Sequence, residues 1–409
     1  MTRLSLFTDP SRRAVLLLVI AQALSVTTNT IIITTTALTG HMLASDKSLA
    51  TVPLSLQFIT TMLTALPASF LMRRYGRQTG FMIGAMLGLV GGLLGAYAVY
   101  ERDFVLLCIS GGLQGMFQAF ALQYRFAAAE VAGPAFRARA VSLVIGGGIV
   151  AAIFGPELAI WAKSWFDPVV FAGNYMALAI LCGVSVVVLV FVREPRSERV
   201  DAPVVASLKT GRPLSVIVRQ PVFIVAVLGG MIGYGVMSLV MTATPLAMLA
   251  CDFNFDETAF VIQWHALAMF APSLFTGRLI DKFGEVRVMA TGAVLYIICV
   301  GVNLSGITIF QFWTALVLLG LGWNFLFVGG TTLLTRVHNP EEKAKVQGLN
   351  DFLVFGVVSV SSLSAGAIQH ALGWDTVNLV VLPLVGIVLA ALAWMHWFGP
   401  RPAEAGAAS

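Results

Sequence analysis

Twelve runs of mostly apolar residues follow one another along this chain of 409 residues. A helix needs about 20 apolar residues to cross the hydrocarbon core of a bilayer. The runs exclude a soluble globular protein, because a soluble core cannot remove that much apolar surface from water. Only 11% of the residues are charged, against about 25% in soluble proteins. We therefore predict an all-α membrane protein with 12 transmembrane helices.

Charged residues, proline or Asn/Asp bound the predicted helices. The helices cover residues 14–38, 48–72, 79–100, 104–132, 140–162, 174–192, 221–249, 257–280, 286–305, 308–335, 345–370 and 376–398. The longest interval without an apolar run separates six helices from six. We predict an N-terminal bundle over 1–192, a cytoplasmic central loop over 193–220 and a C-terminal bundle over 221–409.

Lysine and arginine residues sort to one side of the predicted membrane. Of the 25 basic residues, only Lys47, Arg102 and Lys163 fall on the outer side, and Arg125 lies within a span. Cytoplasmic loops of membrane proteins carry such an excess of Lys and Arg. We therefore expect a multi-pass protein of the inner membrane with both termini in the cytoplasm. This sorting explains the formal charge of +5 without a nucleic-acid partner.

Two turn motifs recur at matching positions in the two halves of the chain. Gly76 and Gly284 follow predicted helices 2 and 8, and Pro134 and Pro340 follow helices 4 and 10. Each pair is separated by about half the chain, and both prolines begin the pattern Pro-x-x-basic-Ala-basic. Secondary transporters use two six-helix halves related in this way. The repeat predicts two pseudo-symmetric six-helix bundles.

The second copy of the first motif resembles the signature of the major facilitator superfamily, Gly-x-x-x-Asp-basic-x-Gly-basic. The matching residues are Gly277, Asp281, Lys282 and Gly284. Glu285 replaces the last basic residue. In the first copy, Ser69 and Arg73 stand in place of the Gly and the Asp, while the remaining positions match through Arg74, Gly76 and Arg77. The resemblance covers the whole chain and implies the major facilitator fold.

Four strings resemble a bacterial subgroup of this superfamily that includes riboflavin importers. They are LATVP from Leu49, YRFAAAE from Tyr124, VMTATPLAM from Val240 and LGWNF from Leu321. The resemblance implies a secondary active transporter that takes up riboflavin, or a similar flat heteroaromatic solute, by alternating access. Two alternatives stay open: a proton-coupled exporter of drugs or metabolites, and a membrane receptor that does not transport.

Enzyme motifs are missing from the sequence. It contains no phosphate-binding Gly loop with Lys-Ser/Thr, no Gly-x-Ser-x-Gly and no His-Glu-x-x-His. The four cysteines lack metal-ligand spacing. We therefore expect no enzyme activity, cofactor or metal. The expected partners are a small-molecule substrate, the lipid bilayer and a coupled proton, and the expected state is a monomer.

Polar and aromatic side chains inside the spans form the predicted substrate site. They are Asn29, Gln57, Gln114, Gln118, Arg125, Gln263, His265, Trp323 and Asn324. Amides beside an aromatic face suit a flat, hydrogen-bonding solute, although interhelical hydrogen bonds are the alternative role of each amide. Arg125 is either a substrate or gating ligand or half of a structural ion pair. The spacing of Gln114, Gln118 and Arg125 predicts one shared helix face.

Charged residues near the turn motifs are predicted to form gating ion pairs. They are Arg73, Arg77, Glu130, Asp281 and Asp351. We expect Glu130 to pair with the arginines of the first turn. Arg73 occupies the place of the signature Asp, and we expect it to pair with Asp351. A carboxylate near a helix N-terminus, as at Asp351, is also stabilised by the helix dipole.

Overall fold

The structure is a computed structural model that describes residues 10–192, 211–339 and 342–398. Every regular element in these ranges is helical. The side chains of Arg73 and Glu130 lie outside the described part, so the ion pairs predicted for them stay predictions. Most of the predicted central loop lies outside it as well. We call residues 10–192 the N-terminal half and residues 211–398 the C-terminal half.

The helices of the N-terminal half match the predicted order. They are α1 (Pro10–Leu43), α2 (Val52–Tyr75), α3 (Arg77–Tyr100), α4 (Phe104–Ala121), α5 (Tyr124–Val131), α6 (Gly133–Ala162) and α7 (Ala172–Val190). A 3₁₀ turn, Lys47–Leu49, connects α1 to α2. Asp103 begins α4, because its Oδ1 accepts hydrogen bonds from the backbone N–H groups of Val105 and Leu106.

The C-terminal half begins with one short helix and continues with longer ones. They are α8 (Leu214–Ile217), α9 (Pro221–Ala250), α10 (Phe255–Phe270), α11 (Ser273–Phe283), α12 (Glu285–Leu304), α13 (Ile309–Leu334), α14 (Lys343–Leu379) and α15 (Val381–Phe398). Asn254 and Glu257 form a reciprocal capping box that begins α10.

Nine helices in the described ranges are long and apolar enough to cross a membrane, or ten when the bent pair α10–α11 counts as one span. Within α6, Gly146–Ala162 is a shorter apolar helix. The last two predicted helices lie inside one apolar helical stretch, Lys345–Trp397. The all-helical membrane fold is confirmed, whereas the number of 12 spans stays a prediction.

Three helix predictions need correction. The predicted helix 104–132 divides into α4 and α5 around Leu122 and Gln123. The predicted helix 257–280 divides into α10 and α11, which meet at an angle of 43°. Pro272 lies at this joint, and its missing N–H removes a hydrogen bond from the helix. α14 continues past residue 370 to a kink at Gly373, whose φ of +79° suits glycine.

The two turn glycines found in the sequence share one backbone conformation. Gly76 joins α2 to α3 with φ 90° and ψ 152°, and Gly284 joins α11 to α12 with φ 81° and ψ 157°. A side chain rarely tolerates this conformation, which explains why glycine stands at both positions. The sequence repeat therefore corresponds to a repeated helix–turn–helix geometry.

Small residues allow close helix packing inside each half. At Gly92 of α3, an added Cβ would lie 2.5 Å from the backbone nitrogen of Ala179 in α7. Helices in lipid gain much of their association from such close backbone approach. The large buried cluster of the C-terminal half runs from Ile217 to Leu392, and its largest fully buried side chains include Tyr296 and Phe312.

A polar anchor fixes the end of the central loop to the start of α14. The guanidinium of Arg212 donates to both carboxylate oxygens of Glu342, at 2.9 Å from Nε and 2.8 Å from Nη2. The backbone N–H groups of Arg212 and Asn339 donate to the same carboxylate. Lys345 Nζ donates to the Arg212 carbonyl at 2.6 Å. Glu342 is fully buried, and the hydrogen bonds from Arg212 hold its pKa well below the usual range.

Candidate substrate site between the halves

The two halves meet closely at the end of the molecule that carries the 3₁₀ turn, which we call the 3₁₀ end. There, Ser55 Oγ of α2 donates to Ser362 Oγ of α14 at 3.1 Å. A salt bridge joins Lys163, just after α6, to Asp256 in the first turn of α10. The ring of Phe171 packs edge-on against that of Phe255. The 3₁₀ end is therefore closed by contacts of several kinds.

Helices α2 and α14 separate toward the opposite end. Met62 still lies beside Gly356 near the middle of both helices. One turn beyond, Leu66 is 65% exposed on α2 and Phe352 is 54% exposed on α14. Nearer the 3₁₀ end, Ser55 on the face of Leu66 and Ser359 on the face of Phe352 are buried. A gap thus opens between the halves from about mid-helix to the end opposite the 3₁₀ turn.

Aromatic side chains of four helices form one wall of this gap. We call Tyr234 of α9, Phe270 of α10, Trp323 and Phe327 of α13 and Phe355 of α14 the aromatic wall. The Tyr234 ring lies 5.4–5.9 Å from three of the others, and Trp323 stacks on Phe327 at 4.9 Å. The Phe270 ring lies 6.3 Å from Trp323. Such rings present flat, polarisable surfaces that stack on other aromatic groups.

The aromatic wall faces the N-terminal half. Phe355 is next to Gly356, which lies beside Met62, and a Cβ added at Gly148 of α6 would lie 3.5 Å from the Phe270 ring. Trp323 is buried, and its Nε1–H has no hydrogen-bond partner within the described ranges. A buried donor without a partner is costly, so this N–H is available to an acceptor on a ligand.

Amides of the N-terminal half form a polar group on α1, α2 and α4. Gln57 Nε2 donates to Asn29 Oδ1 at 2.7 Å, and Gln118 Nε2 donates to the Ser25 carbonyl at 3.2 Å. Asn29 and Gln118 are partly exposed. One turn along α1 from Asn29, Ile33 packs against the C-terminal half. This face of α1 therefore points across the molecule toward the C-terminal half.

Each half contributes a charged residue near the open end. Arg125 lies on α5 of the N-terminal half, and Asp351 lies on α14 of the C-terminal half. Arg125 is partly buried, and its Nε has no hydrogen-bond partner among the described residues. Asp351 is exposed and accepts a hydrogen bond from Asn350 at 3.2 Å. Charged groups inside a membrane protein are stable when they are paired or face water.

The structure places three of the predicted site residues in contacts between helices. Gln114 is buried and donates to the Gly88 carbonyl of α3 at 2.9 Å. His265 is fully buried and its Nδ1 lies 2.8 Å from the Leu316 carbonyl. Asn324 donates to the Met269 carbonyl, which the break after α10 leaves without its helical partner.

Asn324 also binds both sides of that break. Its Nδ2 donates to Ser273 Oγ at 2.7 Å, and its Oδ1 accepts from Thr276 Oγ1 at 2.6 Å. The side chain is fully buried. We interpret Asn324 as the residue that holds the bend between α10 and α11.

Gln263 takes part in the contact between the halves. Its Nε2 donates to the Ile153 carbonyl of α6 at 2.9 Å and lies 3.3 Å from Glu157 Oε1. The predicted single face for Gln114, Gln118 and Arg125 is not found. The first amide meets α3, the second meets α1, and the helix is interrupted before Arg125.

The described gating residues have different surroundings. Asp281 is exposed at the end of α11, and Arg77 begins α3. Glu285, which replaces a basic residue of the family signature, is buried and forms a 2.5 Å ion pair with Arg336 after α13. An acid in the first turn of a helix also interacts well with the helix dipole. Within the described ranges, no group of three or more His, Cys, Asp or Glu side chains is placed to hold a metal ion.

Sequence reasoning identified Trp323 but missed the other members of the aromatic wall. Trp323 and Phe327 are four residues apart, which places both rings on one face of α13. That spacing could have identified Phe327 as a neighbour of Trp323 from the sequence. Tyr234, Phe270 and Phe355 come from three further helices, and their convergence depends on the tertiary packing.

Comparison with known proteins identifies the family. The chain matches the model of the Major Facilitator Superfamily over residues 18–262 and 228–409. It is 41% identical over 382 residues to the riboflavin transporter RfnT of Brucella anthropi, an alignment that covers 93% of this chain and 95% of the relative. It is 28% identical over 392 residues to the uncharacterized MFS-type transporter YddS of Bacillus subtilis. That alignment covers 88% of this chain and 84% of the relative.

The fold agrees with a solved transporter structure. The nucleoside transporter NupG superposes with a TM-score of 0.68 at 15% identity, over 93% of this chain and 99% of that chain. At this identity the likeness shows the fold alone. The resemblance and fold predicted from the turn motifs are confirmed. The chain therefore belongs to the Major Facilitator Superfamily, as a multi-pass secondary transporter of small molecules in the inner membrane.

Proposed function

We propose that this transporter takes up riboflavin, or a solute with a similar flat heteroaromatic ring, by alternating access. The aromatic wall is the observation that carries the proposal. Stacked rings at Trp323 and Phe327, with Tyr234 edge-on to both, offer a surface suited to a planar ring system. The relative RfnT, a riboflavin transporter, aligns with nearly the whole chain.

The chemistry of a flavin fits the two sides of the gap. Its ring system is flat and carries carbonyl oxygens, and its side chain carries several hydroxyl groups. The Trp323 Nε1–H on the aromatic wall has no hydrogen-bond partner among the described residues and can donate to a solute. Asn29 and Gln118 of the other half are partly exposed, and their amides offer donors and acceptors. We assign ring stacking to the C-terminal half and hydrogen bonding to both halves.

The proposed orientation puts the 3₁₀ end on the periplasmic side. This follows from the sorting of Lys and Arg, which places both termini in the cytoplasm. In that orientation the gap opens to the cytoplasm, and the molecule is in an inward-facing state. Uptake then requires the contacts at the 3₁₀ end to separate in another state. We also propose a proton as the coupling ion, so a protonophore should abolish uptake and removal of sodium should not.

A binding experiment tests the aromatic wall. Stacking on an indole quenches flavin fluorescence, so purified protein can be titrated directly with riboflavin. We expect Trp323→Ala to raise the Kd by about fivefold or more, since an aromatic contact contributes ~1 kcal/mol. Uptake of labelled riboflavin into proteoliposomes should fall in parallel.

Trp313→Ala is the matched control on the same helix. The Trp313 ring contacts Trp264 and Phe310, which are outside the aromatic wall. The Kd of this control should stay near that of the wild type. Saturable riboflavin binding that Trp323→Ala leaves unchanged contradicts the assigned site, and absence of riboflavin binding by the wild type contradicts the proposed substrate.

A further inference from the structure

A groove lies between three helices of the C-terminal half, away from the substrate site. Its volume is about 320 Å³, within the range of about 300–1,000 Å³ that ligand sites occupy. The lining residues come from α11, α12 and α13 and are Leu279, Phe283, Arg287, Val288, Thr291 and Phe325. Four of these side chains are apolar, and Arg287 is the charged one.

The groove faces the bilayer rather than the gap between the halves. Phe325 is two residues from both Trp323 and Phe327 on α13, so its ring points to the opposite side of that helix from the aromatic wall. A Cβ added at Gly292 of α12 would lie 3.0 Å from the Phe325 Cβ. Phe283 is 45% exposed at the groove. Lipid is the solvent on this outer side of a membrane-spanning bundle.

The groove runs from the membrane surface into the apolar region. The turn at Gly284 lies at the open end, because the α10–α11 pair begins at the 3₁₀ end and runs away from it. Arg287 follows in the first turn of α12, and Thr291 lies one turn deeper. Thr291 Oγ1 donates to the Arg287 carbonyl at 2.9 Å, so its hydroxyl is satisfied within the helix. One end of the groove is therefore cationic and the rest is apolar.

Arg287 can bind an anion at the mouth of the groove. Its side chain is exposed, and its guanidinium has no ion pair or hydrogen bond among the described residues. The nearby acid Glu285 is buried and pairs with Arg336 instead.

The surrounding charges add to this positive potential. Arg278 and Lys282 are exposed on α11, and Asp281 is the exposed acid between them. Lys282 Nζ lies 5.1 Å from the centre of the Phe283 ring, which lines the groove. Basic pockets between transmembrane helices on the cytoplasmic side bind anionic lipid head groups, and each basic residue near the surface contributes about fivefold in affinity.

We propose that this groove binds an anionic phospholipid, with its phosphate at Arg287 and one acyl chain along Leu279, Val288 and Phe325. An amphiphile with a negative head and an alkyl chain matches the cationic mouth and the apolar depth together. The inference is independent of the transported solute, because the groove and the aromatic wall lie on opposite sides of α13.

Native mass spectrometry of the purified protein, titrated with defined lipids, tests the site. We expect dioleoyl phosphatidylglycerol to bind at least about fivefold more tightly than the zwitterionic dioleoyl phosphatidylcholine. Arg287→Gln should reduce this preference by about fivefold. Arg219→Gln is the matched control, since Arg219 is an exposed residue just before α9, at the same end but outside the groove. The control should keep the wild-type preference.

A second variant tests the apolar part of the groove. In Thr291→Phe the ring should fill the groove and weaken binding of phosphatidylglycerol by about fivefold or more, since it displaces part of the acyl chain. Glycerol 3-phosphate, which lacks the chains, should not compete with the lipid. Competition by this soluble phosphate at the concentrations at which the lipid binds would identify a phosphate site and contradict the lipid site.

Two further results overturn the proposal. One is equal affinity of the wild type for the two lipids, which needs no variant that folds. The other is an equal loss of preference in Arg287→Gln and Arg219→Gln, which would assign the effect to the overall charge of this surface. Thermal unfolding of each variant shows whether its fold is retained.

Discussion

Hydrogen-bond partners decide the role of each polar side chain inside the membrane. Gln114 and Gln118 are one turn apart on α4, yet they face different helices. Gln114 is buried against the Gly88 carbonyl of α3, whereas Gln118 is partly exposed beside Ser25 of α1. A buried interhelical amide stabilises the helix packing. An amide at the gap with weak, long hydrogen bonds can exchange them for bonds to a solute.

This difference predicts that substitution by alanine weakens substrate binding at Gln118 but lowers the stability of the fold at Gln114. We expect Gln118→Ala to raise the Kd of riboflavin by about fivefold, the loss of one hydrogen bond of ~1 kcal/mol. Gln114→Ala should instead lower the unfolding temperature, because it leaves the buried Gly88 carbonyl without this donor. Fluorescence titration and thermal unfolding of both variants check the prediction. Equal effects of the two variants on binding would show that both amides line the site.

The types of the site residues were predictable from the sequence, but their directions were not. Amides and a tryptophan within the spans indicated a polar and aromatic site, and Trp323 does lie in the aromatic wall. Asn324, its neighbour, instead holds the bend after α10. Adjacent residues on a helix point about 100° apart, and only the packing of the surrounding helices shows which direction meets the gap.

At the scale of helices and loops, the Arg212–Glu342 anchor ties the central loop to the start of α14. The carboxylate is buried and accepts hydrogen bonds from Arg212 and from the Asn339 N–H. α14 also carries Asp351 and Phe355. The anchor therefore fixes the position of a helix that contributes to the substrate site.

The anchor predicts an acid-sensitive part of the stability. The pKa of Glu342 is lower in the folded protein than the usual value of about 4.3 for an unfolded chain. The unfolded state consequently binds the proton first as the pH falls. The stabilisation by Glu342 is complete above that usual value and decreases as the pH falls below it.

Thermal unfolding of the wild type and of Glu342→Gln between about pH 6 and pH 3.5 tests this linkage. The wild type should unfold at the higher temperature near pH 6, and the difference should shrink as the pH falls. Arg212→Gln should show the same narrowing, because it removes the other half of the ion pair. A difference between wild type and Glu342→Gln that does not depend on pH would contradict the role of the ionised carboxylate.

The positions of the helices were largely predictable, because apolar runs mark them directly. The breaks within these helices were not predictable from the apolar runs. Pro272 lies inside an apolar run, and the sequence does not show that Asn324, on another helix, satisfies the backbone carbonyl released there. The kink at Gly373 joins two apolar segments without a polar interval between them. The local periodicity of apolar residues does not predict helix breaks that depend on residues far away in the sequence.

At the scale of the whole molecule, small side chains close the 3₁₀ end. Thr51 Oγ1 donates to the Leu363 carbonyl at 3.4 Å, and a Cβ on Gly366 would lie 2.7 Å from that hydroxyl oxygen. Ser55 and Ser362 meet one turn further along. Such residues let α2 and α14 approach closely, and their weak contacts can separate at modest cost. The repeat predicted two halves, but no sequence pattern showed which end is closed.

A reversible crosslink tests whether this closed end must open during transport. The hydroxyl oxygens of Ser55 and Ser362 are 3.1 Å apart, so cysteines at these positions are near enough to form a disulfide with small adjustments. We expect oxidised Ser55→Cys/Ser362→Cys, in a background without the four native cysteines, to stop riboflavin uptake into proteoliposomes. A reductant should restore uptake, because it frees the halves to separate at the 3₁₀ end.

The crosslinked protein should still bind riboflavin in detergent, since the gap is open at the opposite end of this structure. The two single-cysteine variants, treated with the same oxidant, control for damage by oxidation and should transport normally. Complete crosslinking with uptake unchanged would mean that the 3₁₀ end stays closed throughout the cycle. The solute would then have to enter by a route that bypasses the Ser55–Ser362 contact. The alternating-access mechanism proposed for this transporter would be wrong.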